Sequence, residues 1–227
     1  MTIGFLSDAH GNYIGLKACL DYLQEHAERI FFLGDAVGYF PFPNEVIDRL
    51  RSSNVECISG NHDAMLVGKA VYESSNDAIY KMTVTRNKIS LTNYSFLENL
   101  PTHRILTIDN KKILMVHGSP ADELTGYVYI DTDITSFVDM DYDVIITGHT
   151  HRSFIKEQGG KIFINTGSCG FSRDNGNKLT VALYDSVNHN AKLKHFLIDK
   201  KAIMETFLPY IHPTVVNVLN RNNIYEA

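Results

Sequence analysis

Thr2-Ile3-Gly4-Phe5-Leu6-Ser7-Asp8-Ala9-His10-Gly11-Asn12 opens the chain with an apolar run that breaks into carboxylate, imidazole and amide side chains. A short apolar run bounded by turn formers reads as a strand buried on both faces. The pattern recurs: Arg29 to Leu33 runs into Gly34-Asp35, and Val55 to Ser59 into Gly60-Asn61-His62-Asp63. Lys112 to Val116 leads to His117-Gly118, and Val144 to Thr147 to Gly148-His149-Thr150-His151. Ligand sites in open α/β sheets lie beyond the carboxyl ends of the strands. Five strand exits therefore aim metal-type side chains at one rim.

Between these strands, Tyr13 to Glu25 sets Ile14, Leu16, Leu20 and Leu23 on one helical stripe, and Pro43 to Arg51 reads as a second helix with Pro43 in its first turn. The stretch 64–99 reads as helical and rather polar. Beyond Pro101 the grammar changes to hairpins: Thr102 to Ile108 and Lys111 to Val116 flank Asp109-Asn110, and Ser153 to Gln158 and Lys161 to Ile164 flank Gly159-Gly160. Leu179 to Tyr184 and Lys192 to Ile198 form a third pair. Such βαβ units followed by hairpins predict an α/β protein with two sheets face to face and helices outside. The main domain is placed at 1–198. A C-terminal helical extension at 199–227 carries Ile203, Phe207, Leu208, Ile211, Val215, Val216 and Leu219, which suit docking on the core or self-association as a homo-oligomer.

The chain has 227 residues, enough to bury a core without disulfides. A net charge of −5 argues against stable nucleic-acid binding, which usually needs a basic face. It leaves anionic substrates open, because bound cations reverse the local sign. Cys19, Cys57 and Cys169 are too few and too scattered for a disulfide framework and read as reduced thiols. The N-terminal residues lack a signal-peptide pattern and no segment suits a membrane span, so a cytoplasmic location is expected.

An Asp or Asn after a strand is commonly a turn former or helix cap, and a lone loop histidine is commonly hydrogen-bonded. The combination is more specific. Asp8, His10, Asp35, Asn61, His117, His149 and His151 make a set of nitrogen and oxygen donors without thiolate, suited to borderline or hard divalent ions. The set is too large for one tetrahedral zinc and suits two ions sharing a carboxylate. Asp8 and His10, like His149 and His151, are two residues apart, and on an extended segment they point the same way.

The series Asp-x-His, Gly-Asp-x-x-Gly, Gly-Asn-His-Asp, Val-His-Gly and Gly-His-Thr-His resembles the calcineurin-like metallophosphoesterase superfamily. Ser7 to Asn12, Gly38-Tyr39 with Pro43-Asn44-Glu45, and Asn165-Thr166-Gly167-Ser168-Cys169-Gly170 are similar to its small bacterial and archaeal phosphodiesterase branch, over about residues 2 to 185. The resemblance implies a four-layer αββα sandwich of two mixed sheets flanked by helices. It implies one divalent ion on Asp8, His10 and His151, another on Asn61, His117 and His149, and Asp35 bridging them. The ions in such proteins are manganese, iron or zinc, sometimes nickel or cobalt. The implied reaction is hydrolysis of a small phosphate ester by a hydroxide bridging the ions, with His62 as the catalytic proton donor.

Asp63 suits either orienting His62 or capping a helix near Ala64. Asn12 suits substrate binding or a helix cap, and Arg173 a substrate phosphate or solvent. Cys169 reads as a packed, inert thiol. The segment after Asp35 lacks the Asp-Arg pair typical of serine/threonine protein phosphatases, and few arginines are at hand to clamp a dianionic monoester, which favours a diester. A dinucleoside polyphosphate of the diadenosine tetraphosphate type is the alternative substrate. A non-catalytic metal-binding scaffold is the alternative of another class, although a scaffold relative of this kind lacks the histidine present here as His62.

Overall fold

In β1 (Thr2–Leu6), Ile3 and Phe5 face a second sheet, while Gly4 and Leu6 turn toward helices. This is the alternation of a strand buried on both faces. The computed structural model describes residues 1–222 and lays its strands in two five-stranded mixed sheets. In the first, β1 pairs in parallel with β2 (Arg29–Phe32), and β2 with β3 (Glu56–Cys57). On the other side β1 pairs antiparallel with β9 (Lys178–Asp185), which is edged by β10 (Asn190–Leu197). The second sheet runs β4 (His103–Ile108), β5 (Lys111–Val116), β6 (Val144–Thr147), β8 (Lys161–Asn165) and β7 (Phe154–Gln158).

The sheets meet through an apolar layer in which Ile3, Phe5, Phe31 and Leu33 oppose Ile113, Met115, Ile146 and Ile164. Burying side chains of this size contributes roughly 1.5–3 kcal/mol each. On the outer face of the first sheet, α1 (Tyr13–His26) buries Leu16, Leu20 and Leu23, and α2 (Pro43–Ser52) buries Val46, Ile47 and Leu50. Asn12 caps α1 by accepting the Gly15 N–H at 2.9 Å. The outer face of the second sheet is covered more thinly, by Val128, Ile134 and the single turn α7 (Thr135–Val138). Among the described residues, no helix is long and apolar enough to cross a membrane.

The expected hairpins form. At the Asp109-Asn110 turn both residues take positive φ (49° and 61°), the geometry that matches the twist of the flanking strands. Two expectations change. The third strand is only two residues long, because beyond Cys57 the backbone partners diverge: Ile58 N–H still reaches the Phe32 carbonyl, but Ser59 N–H turns to that of Pro101.

The helical stretch expected over 64–99 begins at Asn61 and is divided. It comprises α3 (Asn61–Leu66), a 3₁₀ turn (Ser74–Asn76), α4 (Asp77–Tyr80), α5 (Met82–Lys88) and α6 (Leu91–Glu98). Gly68 and Lys81 take left-handed conformations (φ 78° and 59°) that no helix continues through. Ser90 starts α6 afresh as its N-cap.

Near the C-terminus, α8 (Lys200–Phe207) and α9 (Pro213–Leu219) pack Ile203, Phe207, Val215 and Leu219 against Phe40 and Phe171. The expected 199–227 segment extends beyond the described residues, from which 223–227 are excluded.

Candidate metal centre

The loops that leave β1 and β2 continue each other's hydrogen bonding after the strands end. Asp8 N–H donates to the Gly34 carbonyl at 3.0 Å, His10 N–H to that of Asp35 at 2.9 Å, and Gly11 N–H to that of Ala36 at 2.8 Å. The loop after β6 is tied across the gap between the sheets by His149 N–H, which donates to Asp8 Oδ2 at 3.1 Å, and to the neighbouring exit of β5 by Gly148 N–H, which donates to the His117 carbonyl at 2.9 Å. The loop after β8 closes the ring, with Ser168 Oγ donating to the Asp8 carbonyl at 2.7 Å. The rim foreseen from the strand exits is thus one hydrogen-bonded unit.

All seven expected ligand residues are brought together there. Asp8, His10, Asp35, Asn61, His117 and His151 are buried, and His149 alone is partly exposed. Asp8 Oδ1 lies 3.2 Å from His151 Nε2, 3.7 Å from His10 Nε2 and 4.0 Å from His117 Nε2. Asp35 Oδ2 lies 3.5 Å from His10 Nε2 and 3.4 Å from His117 Nε2, between the two histidine groups. Asn61 Oδ1 is 3.1 Å from His117 Nε2. Asp8 with His10 and His151, and Asp35 with His117 and His149, each gather their ligand atoms within 4.8 Å of one another, as does a third group of His10, Asp35 and His62.

The backbone decides which ring nitrogen faces inward. His10 Nδ1 donates to the Val37 carbonyl at 3.0 Å, His117 Nδ1 to that of Leu33 at 2.7 Å, and His151 Nδ1 to that of Phe171. A carbonyl accepts only, so each Nδ1 carries a proton and each Nε2 can present its lone pair to the centre. His10 Nε2 and His151 Nε2 then face each other at 3.0 Å, close enough to share a proton or a bound cation. Asp8 Oδ1 and His149 Nε2 are buried atoms without a hydrogen-bond partner. Buried polar atoms are otherwise nearly always paired. The donor set and these orphaned atoms fit divalent cations.

Electrostatics point the same way. Burial would raise the Asp8 carboxyl, but His151 and His117 hold it well below the ordinary carboxylate range, and His117 and His62 do the same for Asp35. Burial opposes protonation of His117, yet Asp35 and Asp8 outweigh it and raise the ring to about 10. Burial lowers His149 to about 4 and His62 to about 3. The centre therefore concentrates negative charge on two carboxylates and draws compensating positive charge to itself.

One expectation needs correcting. Asp8 and His10 do not lie on an extended segment, and neither do His149 and His151. Their φ angles are 57°, 50°, 63° and 58°, and that of Asp35 is 61°. Left-handed backbone is uncommon outside glycine, although Asp and His tolerate it better than most residues. The side chains converge because the loops turn sharply, not because alternate residues of a strand share a face. Close approach requires glycine at two neighbouring points: a Cβ on Gly60 would stand 2.2 Å from Asp35 Oδ1, and one on Gly34 2.3 Å from Gly60 N.

Asp63 does not reach for His62. Its carboxylate accepts the backbone N–H groups of Asp35 (2.8 Å), Ala36 (2.9 Å), Val37 (3.3 Å) and Gly60 (3.1 Å). It fastens the loop carrying Asp35 to the start of α3. Asn12 is fully buried, its oxygen capping α1 and its Nδ2 donating to the Gly170 carbonyl at 2.7 Å. Arg173 lies at the edge of the site, its Nη2 donating to Tyr39 Oη at 3.4 Å and its Nε buried without a partner. Cys169 is buried, and burial pushes its thiol well up, as an inert thiol requires.

Sequence reasoning passed over the aromatic walls. Tyr39 stands edge-on to His10 with ring centres 4.7 Å apart and lies 5.1 Å from His62, while Tyr80 of α4, 5.4 Å from Tyr39, reaches His62 at 4.7 Å. Phe171 packs on His151 at 5.6 Å. Tyr127, from the loop after β5, lies 4.4 Å from His149. Tyr39 lay inside a quoted motif, but nothing local in the sequence distinguishes Tyr80 or Tyr127 from surface tyrosines.

Residues 1–189 match the family model of the calcineurin-like phosphoesterase superfamily domain. The chain is 29% identical over 223 residues to the uncharacterized protein MJ0912 of Methanocaldococcus jannaschii, covering 89% of this chain and 90% of that one. It superposes on a metallophosphoesterase from Sphaerobacter thermophilus with a TM-score of 0.80 at 24% identity, covering 96% of this chain and 98% of the other. For the hypothetical protein PH1004 from Pyrococcus horikoshii OT3 the TM-score is 0.83 at 23% identity, with 96% and 97% covered.

Proposed function

The chain belongs to the calcineurin-like phosphoesterase superfamily and is a phosphoesterase, and from that premise we propose that it hydrolyses phosphodiesters with two divalent cations held by Asp8, His10, Asp35, Asn61, His117, His149 and His151. One observation carries the reading. Three histidines have their Nδ1 protons fixed on backbone carbonyls, which turns their Nε2 atoms inward toward Asp8 Oδ1 and Asp35 Oδ2, where cations could take the place of protons. Asp8, His10 and His151 would hold one ion, Asn61, His117 and His149 the other, with Asp35 between them. When bound, the cations supply Lewis acidity toward the phosphoryl oxygens and an activated water as nucleophile.

The chain's own residues supply position and protons. Asp63 holds the Asp35 loop, and the backbone carbonyls of Leu33, Val37 and Phe171 orient the rings. His62 sits beside Asp35 and His10 with its Nδ1 buried and unpartnered, which supports its role as proton donor to the leaving oxygen. In the resting protein burial keeps its ring neutral. An anionic substrate alongside favours the protonated ring, which takes a proton from solvent and gives it to the departing alkoxide. Arg173, hydrogen-bonded to Tyr39 at the edge of the site, is the guanidinium available to a phosphate oxygen.

The test is turnover by metal-depleted protein restored in turn with Mn²⁺, Zn²⁺, Fe²⁺ or Ni²⁺. The substrates are phosphomonoesters, linear and cyclic diesters, and dinucleoside polyphosphates. Metal content near two per chain with diesters as the preferred substrates is the expected result. A single bound ion would overturn the dinuclear reading, and preference for a monoester or a polyphosphate would overturn the diesterase reading.

A further inference from the structure

Tyr127-Val128-Tyr129 follows the loop that leaves His117, and its burial alternates. Val128 is buried against the outer face of the second sheet among Leu114, Val116 and Phe154, whereas Tyr127 is 56% exposed and Tyr129 partly so. The two tyrosine rings lie nearly parallel, 12° apart in plane with centres 5.9 Å apart. Tyr127 also touches His149 at 4.4 Å between ring centres, while the Arg152 guanidinium lies 5.8 Å from the Tyr129 ring centre. The pair is therefore anchored by Val128 at one side and Arg152 at the other, and it ends at the metal centre.

The loop beneath it is pinned. Gly118 N–H donates to the Glu123 carbonyl at 2.7 Å, Ser119 and Asp122 exchange backbone bonds, and Gly126 N–H returns to the Asp122 carbonyl at 3.2 Å. A Cβ on Gly126 would stand 2.1 Å from Ser119 Oγ, so the turn before Tyr127 is closely packed. The position matters because the other six ligand side chains are buried and His149 alone is partly exposed. Tyr127 therefore stands beside the one proposed ligand that is open to solvent. With Tyr127 56% exposed beside His149, part of its ring surface is open to solvent, and an aromatic ring stacking on such a surface typically gains about ten-fold in affinity.

We propose that Tyr127, backed by Tyr129, is a stacking subsite for a flat aromatic ring carried by the phosphate compound, which makes the preferred substrates aromatic esters such as those of a nucleoside. As a claim about substrates this rests on the phosphoesterase reading, but the ring-binding step does not need turnover. The probes are adenosine 5′-monophosphate, phenyl phosphate and ribose 5-phosphate, titrated by calorimetry into Mn²⁺-loaded wild-type protein and into Mn²⁺-loaded Tyr127→Ala and Tyr127→Phe.

The expected result is that adenosine 5′-monophosphate binds wild type and Tyr127→Phe alike, about ten-fold more weakly to Tyr127→Ala, and that ribose 5-phosphate is indifferent to the substitution. Phenyl phosphate following adenosine 5′-monophosphate would identify a general aryl site, and its failure to do so a nucleobase site. Equal affinity of wild type and Tyr127→Ala for both aromatic probes would overturn the proposal, as would no binding of either to wild type. Tyr127-dependent binding in a protein that hydrolyses no ester would overturn the proposed function and leave the subsite standing.

Discussion

At the scale of single residues, the site depends on side chains that serve the backbone as much as the substrate. Asp63 is the plainest case, with four backbone N–H groups on one carboxylate. Asp63→Ala leaves all four without a buried acceptor and is expected to cost roughly 2–4 kcal/mol, read as a fall in the urea midpoint. His62→Asn is expected to retain metal content and lower kcat about 10²–10⁴-fold on esters with poor leaving groups. Full activity on an alkyl diester would remove His62 from the chemistry. Gly38 has φ +103° and a Cβ there would stand 2.5 Å from His62 Nδ1. Gly38→Ala is expected to displace that ring and reduce kcat in the same direction as His62→Asn, while metal content measured by emission spectroscopy is unchanged. Residue identities at the rim were legible in the sequence because aspartate and histidine after short apolar runs are unusual in such number. Their left-handed backbone was not legible, since nothing in Asp8-Ala9-His10 distinguishes a sharp turn from an extended exit.

At the scale of elements, apolar runs and turn dipeptides carried the sheets. The Asp109-Asn110 and Gly159-Gly160 turns adopt the positive φ values their residues favour, and the strands around them pair in the register the turns impose. The stretch between residues 61 and 99 resisted the same reading. Its breaks fall at Gly68, an ordinary signal, and at Lys81, whose left-handed φ of 59° is imposed by tertiary context because lysine has no preference for it. That break carries Tyr80 to His62, so the element hardest to foresee is also the one that completes the wall of the site. Where α9 ends, Gly176 takes a different part: a Cβ there would stand 1.9 Å from the Leu219 carbonyl oxygen. Gly176→Ala is expected to loosen α9 from the core and speed amide exchange over residues 213–219, with exchange in β1 unchanged.

At the scale of the whole molecule, the two sheets share an apolar layer and meet at a rim where two carboxylates stand among histidines. Removing bound cations is expected to destabilise the fold as a unit. At a free metal concentration about a hundred times its dissociation constant, the linkage contribution is about 2.7 kcal/mol per site. For a chain of this size that corresponds to a fall in Tm of about 5–11 °C for each site emptied by chelation, recovered on adding back Mn²⁺. An unchanged melting curve would mean that the ions contribute nothing to the folded state. The rim also has a history in time. Its members run from Asp8 to His151, and β1, which carries the first of them, lies between β2 and β9, whose last residue is Asp185. At about 5–20 residues per second of synthesis, the ribosome needs on the order of ten seconds to deliver the last histidine, and longer to deliver the strand that closes the sheet. Throughout that interval the nascent polypeptide carries an incomplete cage, so cation loading belongs to the period after most of the chain has left the tunnel.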